Sequence, residues 1–330
     1  MSDQVAGQSA ETARTYRVSR LKGLRHLLRW LRNPVSFEGA SQVPKMKMAT
    51  GAPEFAARVA DMRQHPVGQR ILSDRPDLGA ALGDPALAAL PEASLGRHYH
   101  AHASVDGAVP GYMLSGLLYR GSEFDTLDWS QDMKYLLVRF NATHDLVHQL
   151  CGYGTDLAGE ALTISYTLGL EAMQASGARR AARAWAGVSW LMMSPSIGWQ
   201  RYRAHVMEAF ERGLATSTTR AMHNIYFEEM LPQPLTAVRE ELGVPPLTQA
   251  VDTAQWRLSR LGQKIASGYR KAEDAAGMRM RNMDQLVRAG ISVRTLVNLD
   301  EQVLADLLER VDAGADAEAL RRFAEGRAVA

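Results

Sequence analysis

The sequence predicts an all-α protein. Three observations carry that reading. Apolar residues recur at three- and four-residue spacing through most of 53–243, strand signals are sparse, and glycine or proline marks the places where the periodic segments stop. The expected architecture is a single helical domain built around a two-helix metal clamp, with an N-terminal amphipathic helix and a C-terminal helical extension. At 330 residues and 46% hydrophobic content the chain can bury a large core.

Residues 1–13 are small and polar and read as a disordered tail. Residues 14–52 read as a basic amphipathic helix and linker: Arg14, Arg17, Arg20, Lys22, Arg25, Arg29 and Arg32 alternate with Val18, Leu21, Leu24, Leu27, Leu28, Trp30 and Leu31. Such a helix either lies on an anionic membrane surface or packs its leucine stripe on the protein body. A transit peptide would share the pattern but avoid acids, and Asp3 and Glu11 are present.

Residues 53–246 form the expected core, with periodic segments at Glu54 to His65, Asp132 to Cys151, Asp156 to Ala175, Arg201 to Leu214 and Leu235 to Leu242. His98, His100 and His102 alternate without β-branched neighbours and read as a polar loop. Ala184 to Gln200 carries no charge and holds Trp185, Trp190 and Trp199. Pro195 breaks it, so it reads as a helix and turn that is buried, lines an apolar cavity or touches lipid. Beyond Pro245-Pro246, residues 247–330 read as a helical extension with short amphipathic pieces around Leu296, Leu304, Leu307 and Leu320.

Net charge is only +2, which gives no global case for nucleic acid as a partner. The lone Cys151 excludes an intrachain disulfide framework and a zinc-thiolate finger. No apolar run reaches the about 18 residues of a membrane-spanning helix.

Chemistry concentrates in His144-Asp145-Leu146-Val147-His148, followed after eleven residues by Glu160. On a helix His144 and His148 share a face one turn apart, Asp145 stands on the same side, and Leu146, Val147 and Leu150 face the core. Gly152-Tyr153-Gly154 should end that helix, and Thr155 or Asp156 should cap the next, whose first turns bring Glu160 back over the histidines. The expected metal set is His144, Asp145, His148 and Glu160, with Asp145 or Glu160 serving as ligand or general base. Imidazole and carboxylate donors suit a divalent ion: zinc is favoured, and iron or manganese also fits. A His-Asp phosphohydrolase would need an upstream His, for which His98 could serve, and a distant Asp, but would not require His148 and Glu160.

These residues give the chain a resemblance to the ubiquinone (coenzyme Q) biosynthesis protein 4 family, whose signature is His-Asp-x-x-His, eleven residues, then Glu. The likeness extends to Arg139-Phe140, Gly152, Thr155 and Gly159, to Leu90-Pro91 and Ser94-Leu95-Gly96, and to Pro234-Leu235, Val238-Arg239 and Glu241-Leu242-Gly243, so it covers about 53–243. It departs at Asn141, where members often carry a second Arg, and around Met230, where the usual aromatic is less clear.

The resemblance implies an all-helical fold, a divalent ion at the four residues and an apolar cavity for a prenylated ring. It also implies peripheral attachment to the inner membrane: the cytoplasmic face in a bacterium, the matrix side in a mitochondrion. The implied activity is oxidative decarboxylation with hydroxylation at ring carbon one of a prenylated hydroxybenzoate precursor. The alternative is a non-catalytic prenyl-lipid-binding scaffold that organises other quinone-biosynthesis enzymes, and a plain helical adaptor is a remote third. Trp185, Trp190, Trp199 and Arg139 are the candidate substrate or lipid contacts, and a homodimer is an expected assembly.

Overall fold

The computed structural model describes residues 16–32, 37–104, 113, 116–119, 121–193, 197–248, 251–253, 256–264, 282–287 and 289–328. Among these residues there is helix and turn but no strand beyond two isolated bridges, Ser94 with Pro234 and Met193 with Leu258. The all-α expectation is met. No helix among the described residues is long and apolar enough to cross a membrane.

The principal helices in chain order are α1 (Arg20–Arg32), α2 (Phe37–Thr50), α3 (Ala52–Met62), α4 (Pro66–Asp74), α5 (Leu78–Gly83), α6 (Leu95–Ala103), α7 (Gln131–Ala142) and α8 (His144–Cys151). They continue with α9 (Leu157–Leu170), α10 (Ala175–Trp190), α11 (Trp199–Thr219), α12 (Phe227–Met230), α13 (Leu235–Glu241), α14 (Val293–Leu296), α15 (Glu301–Asp312) and α16 (Ala317–Ala328). They group into two compact units, one of Met1–Ala56, Val105–Ala142 and Tyr269–Ala330, the other of Ala57–Ser104 and Thr143–Gly268.

In the first unit α1 packs on α2 through Gly23 and His26. A Cβ on Gly23 would stand 2.5 Å from Thr50 Cγ2, and His26 Nδ1 lies 2.9 Å from Gln42 Oε1. That contact turns the leucines outward, with Leu21, Leu24 and Leu28 at 71%, 51% and 52% exposure. Arg14 and the tail before it lie outside the described residues. Phe55 packs against Trp129 and Phe140, with ring centres 5.3 and 5.6 Å away. The C-terminal helices join this unit through Asn298, whose amide nitrogen donates to the Tyr119 carbonyl at 2.9 Å and whose amide oxygen accepts from Gly121 N–H at 3.0 Å.

The second unit is organised on the crossing of α9 and α11. A Cβ on Gly169 would fall 2.1 Å from the Phe210 carbonyl oxygen, and one on Gly213 would fall 2.0 Å from that of Tyr166, so only glycine lets the two backbones touch. Around the crossing, Ser165 Oγ donates to the Val206 carbonyl at 2.7 Å, and the Tyr166 and Thr216 hydroxyls are 2.9 Å apart. Buried Tyr202, Val206, Ala209 and Phe210 complete the core of α11.

One sequence reading is refined and one needs correction. The helically periodic segment from Asp132 to Cys151 is two helices, α7 and α8, parted at Thr143. The Asn141 side chain donates to the Leu137 carbonyl at 2.7 Å, a local bond that competes with the main-chain ladder, and a β-branched Thr follows two positions later. The polar loop expected at His98, His100 and His102 is helix α6. Ser94 caps it by accepting from Arg97 N–H at 3.2 Å. The Leu95 and Gly96 N–H groups donate to the Gln233 and Leu231 carbonyls at 2.8 Å each, and Leu235 N–H donates to Ala93 at 2.8 Å. Alternating histidines thus gave way to a serine cap and a distant partner segment.

Candidate metal centre

The last turn of α8 is closed by glycine and arginine. Gly152 adopts φ 75°, and its N–H donates to the His148 carbonyl at 2.9 Å. The C-terminal carbonyls that a helix cannot satisfy internally are taken up by two guanidinium groups. Arg239 reaches Leu150 (3.0 Å) and Gln149 (2.6 Å), and Arg212 reaches Cys151 (3.1 Å). Asp156 then caps α9 by accepting from Ala158 N–H at 3.0 Å and Gly159 N–H at 3.1 Å. A Cβ on Gly159 would lie 2.2 Å from the Gly154 carbonyl oxygen, so glycine there keeps the turn tight. The turn lays the start of α9 beside α8.

Three side chains meet across it. Glu160 directs Oε2 to His144 Nε2 at 3.4 Å and Oε1 to His148 Nε2 at 3.2 Å. Donor atoms of all three residues lie within 4.8 Å of one another, and the His144 and His148 rings stand 5.0 Å apart at 81°. Leu146, Val147 and Leu150 are buried on the other side of α8. Asp145 is buried next to the histidines in sequence but is not part of the converging group.

The second nitrogen of His148 also has partners. Nδ1 lies 3.3 Å from the Tyr153 carbonyl, which can only accept, and 3.2 Å from the Thr163 hydroxyl. With the proton on Nδ1, Nε2 would turn a lone pair toward the Glu160 carboxylate. A lone pair and a carboxylate oxygen 3.2 Å apart repel unless a cation lies between them. That cation is either a proton or a metal ion, and the donor set fits a metal: Nε2-ligating imidazoles, an outer carbonyl on Nδ1, and a carboxylate offering one oxygen to each ring. Burial raises the Glu160 pKa, but hydrogen bonds and charge from His144 and His148 outweigh it and hold the carboxyl well below the usual carboxylate range. Burial pushes the Cys151 thiol up, so the cysteine beside the site is packing and not a thiolate.

One residue at this site was missed in the sequence. His102, near the end of α6, places its ring 5.7 Å from that of His148 with planes 27° apart. Burial lowers its pKa, opposed by the charge of Asp145. The signal was present in the Ser94 cap, which makes the segment helical and puts His102 near the helix end.

Among the other candidates, Trp185 Nε1 donates to the Ala161 carbonyl at 2.8 Å, next to Glu160 in the chain. Trp190 and Trp199 pack edge to face with centres 5.7 Å apart, and Trp199 is 38% exposed. Pro195 lies outside the described residues. Arg139 is buried in α7 of the first unit.

The model of the family described as coenzyme Q (ubiquinone) biosynthesis protein Coq4 matches residues 31–248. The chain belongs to the Coq4 family. A rat protein named ubiquinone biosynthesis protein COQ4 homolog, mitochondrial, is 29% identical over 192 residues, covering 56% of this chain and 63% of that protein. The Talaromyces stipitatus protein named ubiquinone biosynthesis protein coq4, mitochondrial, is 28% identical over 204 residues, covering 60% and 64%. This Coq4-family chain therefore spans a little under two thirds of the length of these relatives. A solved structure of a candidate ubiquinone biosynthesis protein from Nostoc punctiforme aligns at TM-score 0.46 and 18% identity, over 69% of this chain and 100% of that one.

Proposed function

We propose that this chain serves ubiquinone biosynthesis as a metal-dependent enzyme that oxidatively decarboxylates and hydroxylates ring carbon one of a prenylated hydroxybenzoate. The carrying observation is the convergence of His144 Nε2 and His148 Nε2 on the two oxygens of Glu160, at 3.4 and 3.2 Å, a donor set that suits a cation. The names of the relatives supply the pathway. A divalent ion there, zinc first by the donor set, would act as a Lewis acid with positions for the ring carboxylate and hydroxyl. His144, His148 and Glu160 hold it. Asp145, beside His144 in the chain, is the candidate to accept a proton from the ring hydroxyl. The carboxyl leaves as carbon dioxide, the ring takes its hydroxyl oxygen from water, and dioxygen accepts the two electrons and two protons released, leaving as hydrogen peroxide.

The lipid substrate calls for a membrane contact, and α1 offers one: exposed Leu21, Leu24 and Leu28 among Arg20, Lys22, Arg25 and Arg29. Peripheral attachment to the inner membrane follows, on the cytoplasmic face in a bacterium or the matrix side in a mitochondrion, beside other quinone-biosynthesis enzymes. A second reading rests on the same triad, since Glu160 ties α8 to α9 through both histidines: the ion could be structural and the chain a prenyl-lipid-binding scaffold.

Elemental analysis of the purified chain, followed by assay on a prenylated hydroxybenzoate with wild type and His148→Ala, divides these readings. We expect stoichiometric metal and turnover in the wild type and neither in the variant, with circular dichroism showing that the variant is folded. Equal conversion by the two proteins sinks the catalytic reading. A metal-loaded wild type that binds the prenylated hydroxybenzoate without converting it supports the scaffold.

A further inference from the structure

We infer that His102 is a third imidazole donor to the cation held by His144, His148 and Glu160. The inference rests on the metal reading above and deepens it: the site takes a late first-row divalent ion in a set of three imidazoles and one carboxylate, drawn from three helices.

Ring geometry carries the argument. Two imidazoles that bind one tetrahedral ion at about 2.0–2.1 Å hold their ring centres about 5 Å apart. His144 and His148 stand 5.0 Å apart, and His102 and His148 stand 5.7 Å apart. The converging group without His102 has three protein donors, and a fourth still leaves the substrate a position when the ion expands to five-coordination. His102 comes from the last turn of α6, whose start is anchored by the Leu95 to Gln233 and Gly96 to Leu231 bonds. Its ring is half-buried and stacks against that of His148, with the planes 27° apart. Its nitrogens are not yet among the atoms that converge, and rotation of the side chain on a fixed helix is the movement required.

The chemistry of the ion follows from the donors. Three imidazoles and one carboxylate favour zinc, cobalt(II) or iron(II) over magnesium and calcium, which take oxygen ligands.

The test is a cobalt(II) titration of the full chain, read by its visible absorption bands, on wild type, His102→Phe and His148→Ala. Phenylalanine keeps the bulk and the stacking of His102 but cannot bind an ion. We expect one cobalt per wild-type chain, at least about tenfold weaker binding with shifted bands in His102→Phe, and loss of binding in His148→Ala. Wild-type affinity and an unchanged spectrum in His102→Phe overturn this inference and leave the metal reading standing. A wild type that binds no cobalt overturns both. Should His102→Phe fail to fold, X-ray absorption on zinc-loaded wild type decides, three imidazoles supporting the inference and two overturning it.

Discussion

Arg239 on α13 donates to the main-chain carbonyl of Leu150 at 3.0 Å, so the helix that carries both site histidines is finished by a residue far along the chain. The same guanidinium takes the Gln149 carbonyl at 2.6 Å. Arg239→Met should cost about 2–3 kcal/mol, because hydrogen bonds from a charged donor are lost and half-buried carbonyls are left unpaired. Arg239→Lys should recover only part of it, since an ammonium lacks the fork that spans two carbonyls. Urea denaturation of the three proteins checks the order, and equal midpoints would refute it.

Thr163 bears on metal affinity without touching the ion. Its hydroxyl lies 3.2 Å from His148 Nδ1. Thr163→Val keeps the shape and removes the partner, and should weaken zinc binding about 10–100-fold while leaving the thermal midpoint close to wild type. A competition titration against a chelator measures this, and unchanged affinity would mean that the Tyr153 carbonyl alone orients the ring.

Two glycines should respond in opposite directions to alanine. At Gly213 the new methyl would meet the Tyr166 carbonyl, and the variant should lose about 1–3 kcal/mol. At Gly187, inside α10 with nothing within 4 Å, alanine should stabilise by about 0.5–1 kcal/mol through helix propensity. Thermal unfolding distinguishes the two, and a neutral Gly213→Ala would show that the helices cross less closely than described.

Acid sensitivity should trace in part to His223 and Asp61. His223 Nε2 lies 2.7 Å from Asp61 Oδ2, and Asn224 donates to the same oxygen at 2.8 Å. Burial lowers the His223 pKa more than the Asp61 hydrogen bond raises it; for Asp61, burial raises the pKa, and the bonds from His223 and Asn224 bring it below its ordinary value. With both folded values depressed, the folded state binds fewer protons than the unfolded chain. Stability is then full above the ordinary histidine value of about 6.5 and is lost as pH falls below it, with a second loss below about 4 from Asp61. His223→Gln should flatten the upper part of the acid limb in denaturation curves run from pH 7 to 4; an unaltered limb would assign it to other histidines.

Replacing Leu21, Leu24 and Leu28 together by serine should abolish binding to anionic phospholipid vesicles with little change in thermal midpoint, because these side chains are already exposed. Retained sedimentation with vesicles would exclude α1 as the membrane contact.

The helical class was legible because helices announce themselves through a period, and the His144 to Glu160 clamp was legible because its parts are close in sequence. Gly152 and Asp156 have the local chemistry of a helix end and a helix start, and both stand there. The remainder depends on distant partners. Nothing near His98 to His102 tells that Leu231 and Gln233 will accept from the start of that segment, and so His102 reads as loop. The outward leucines of α1 were undecided for the same reason, since the face that packs is chosen by Gly23 and His26 against α2, not by the most apolar stripe.

The glycine crossing makes α9 a lever. Between Gly169, where the helix is gripped, and Glu160, where it ends in a carboxylate, the axis rises about 13 Å, so a tilt of about 5° at the grip swings the carboxylate by about 1 Å. A shift of that size is half the length of a metal–ligand bond. Changes buried far from the histidines, at a position with no polar atom to offer, can therefore empty or retune the site while every donor residue remains in the sequence.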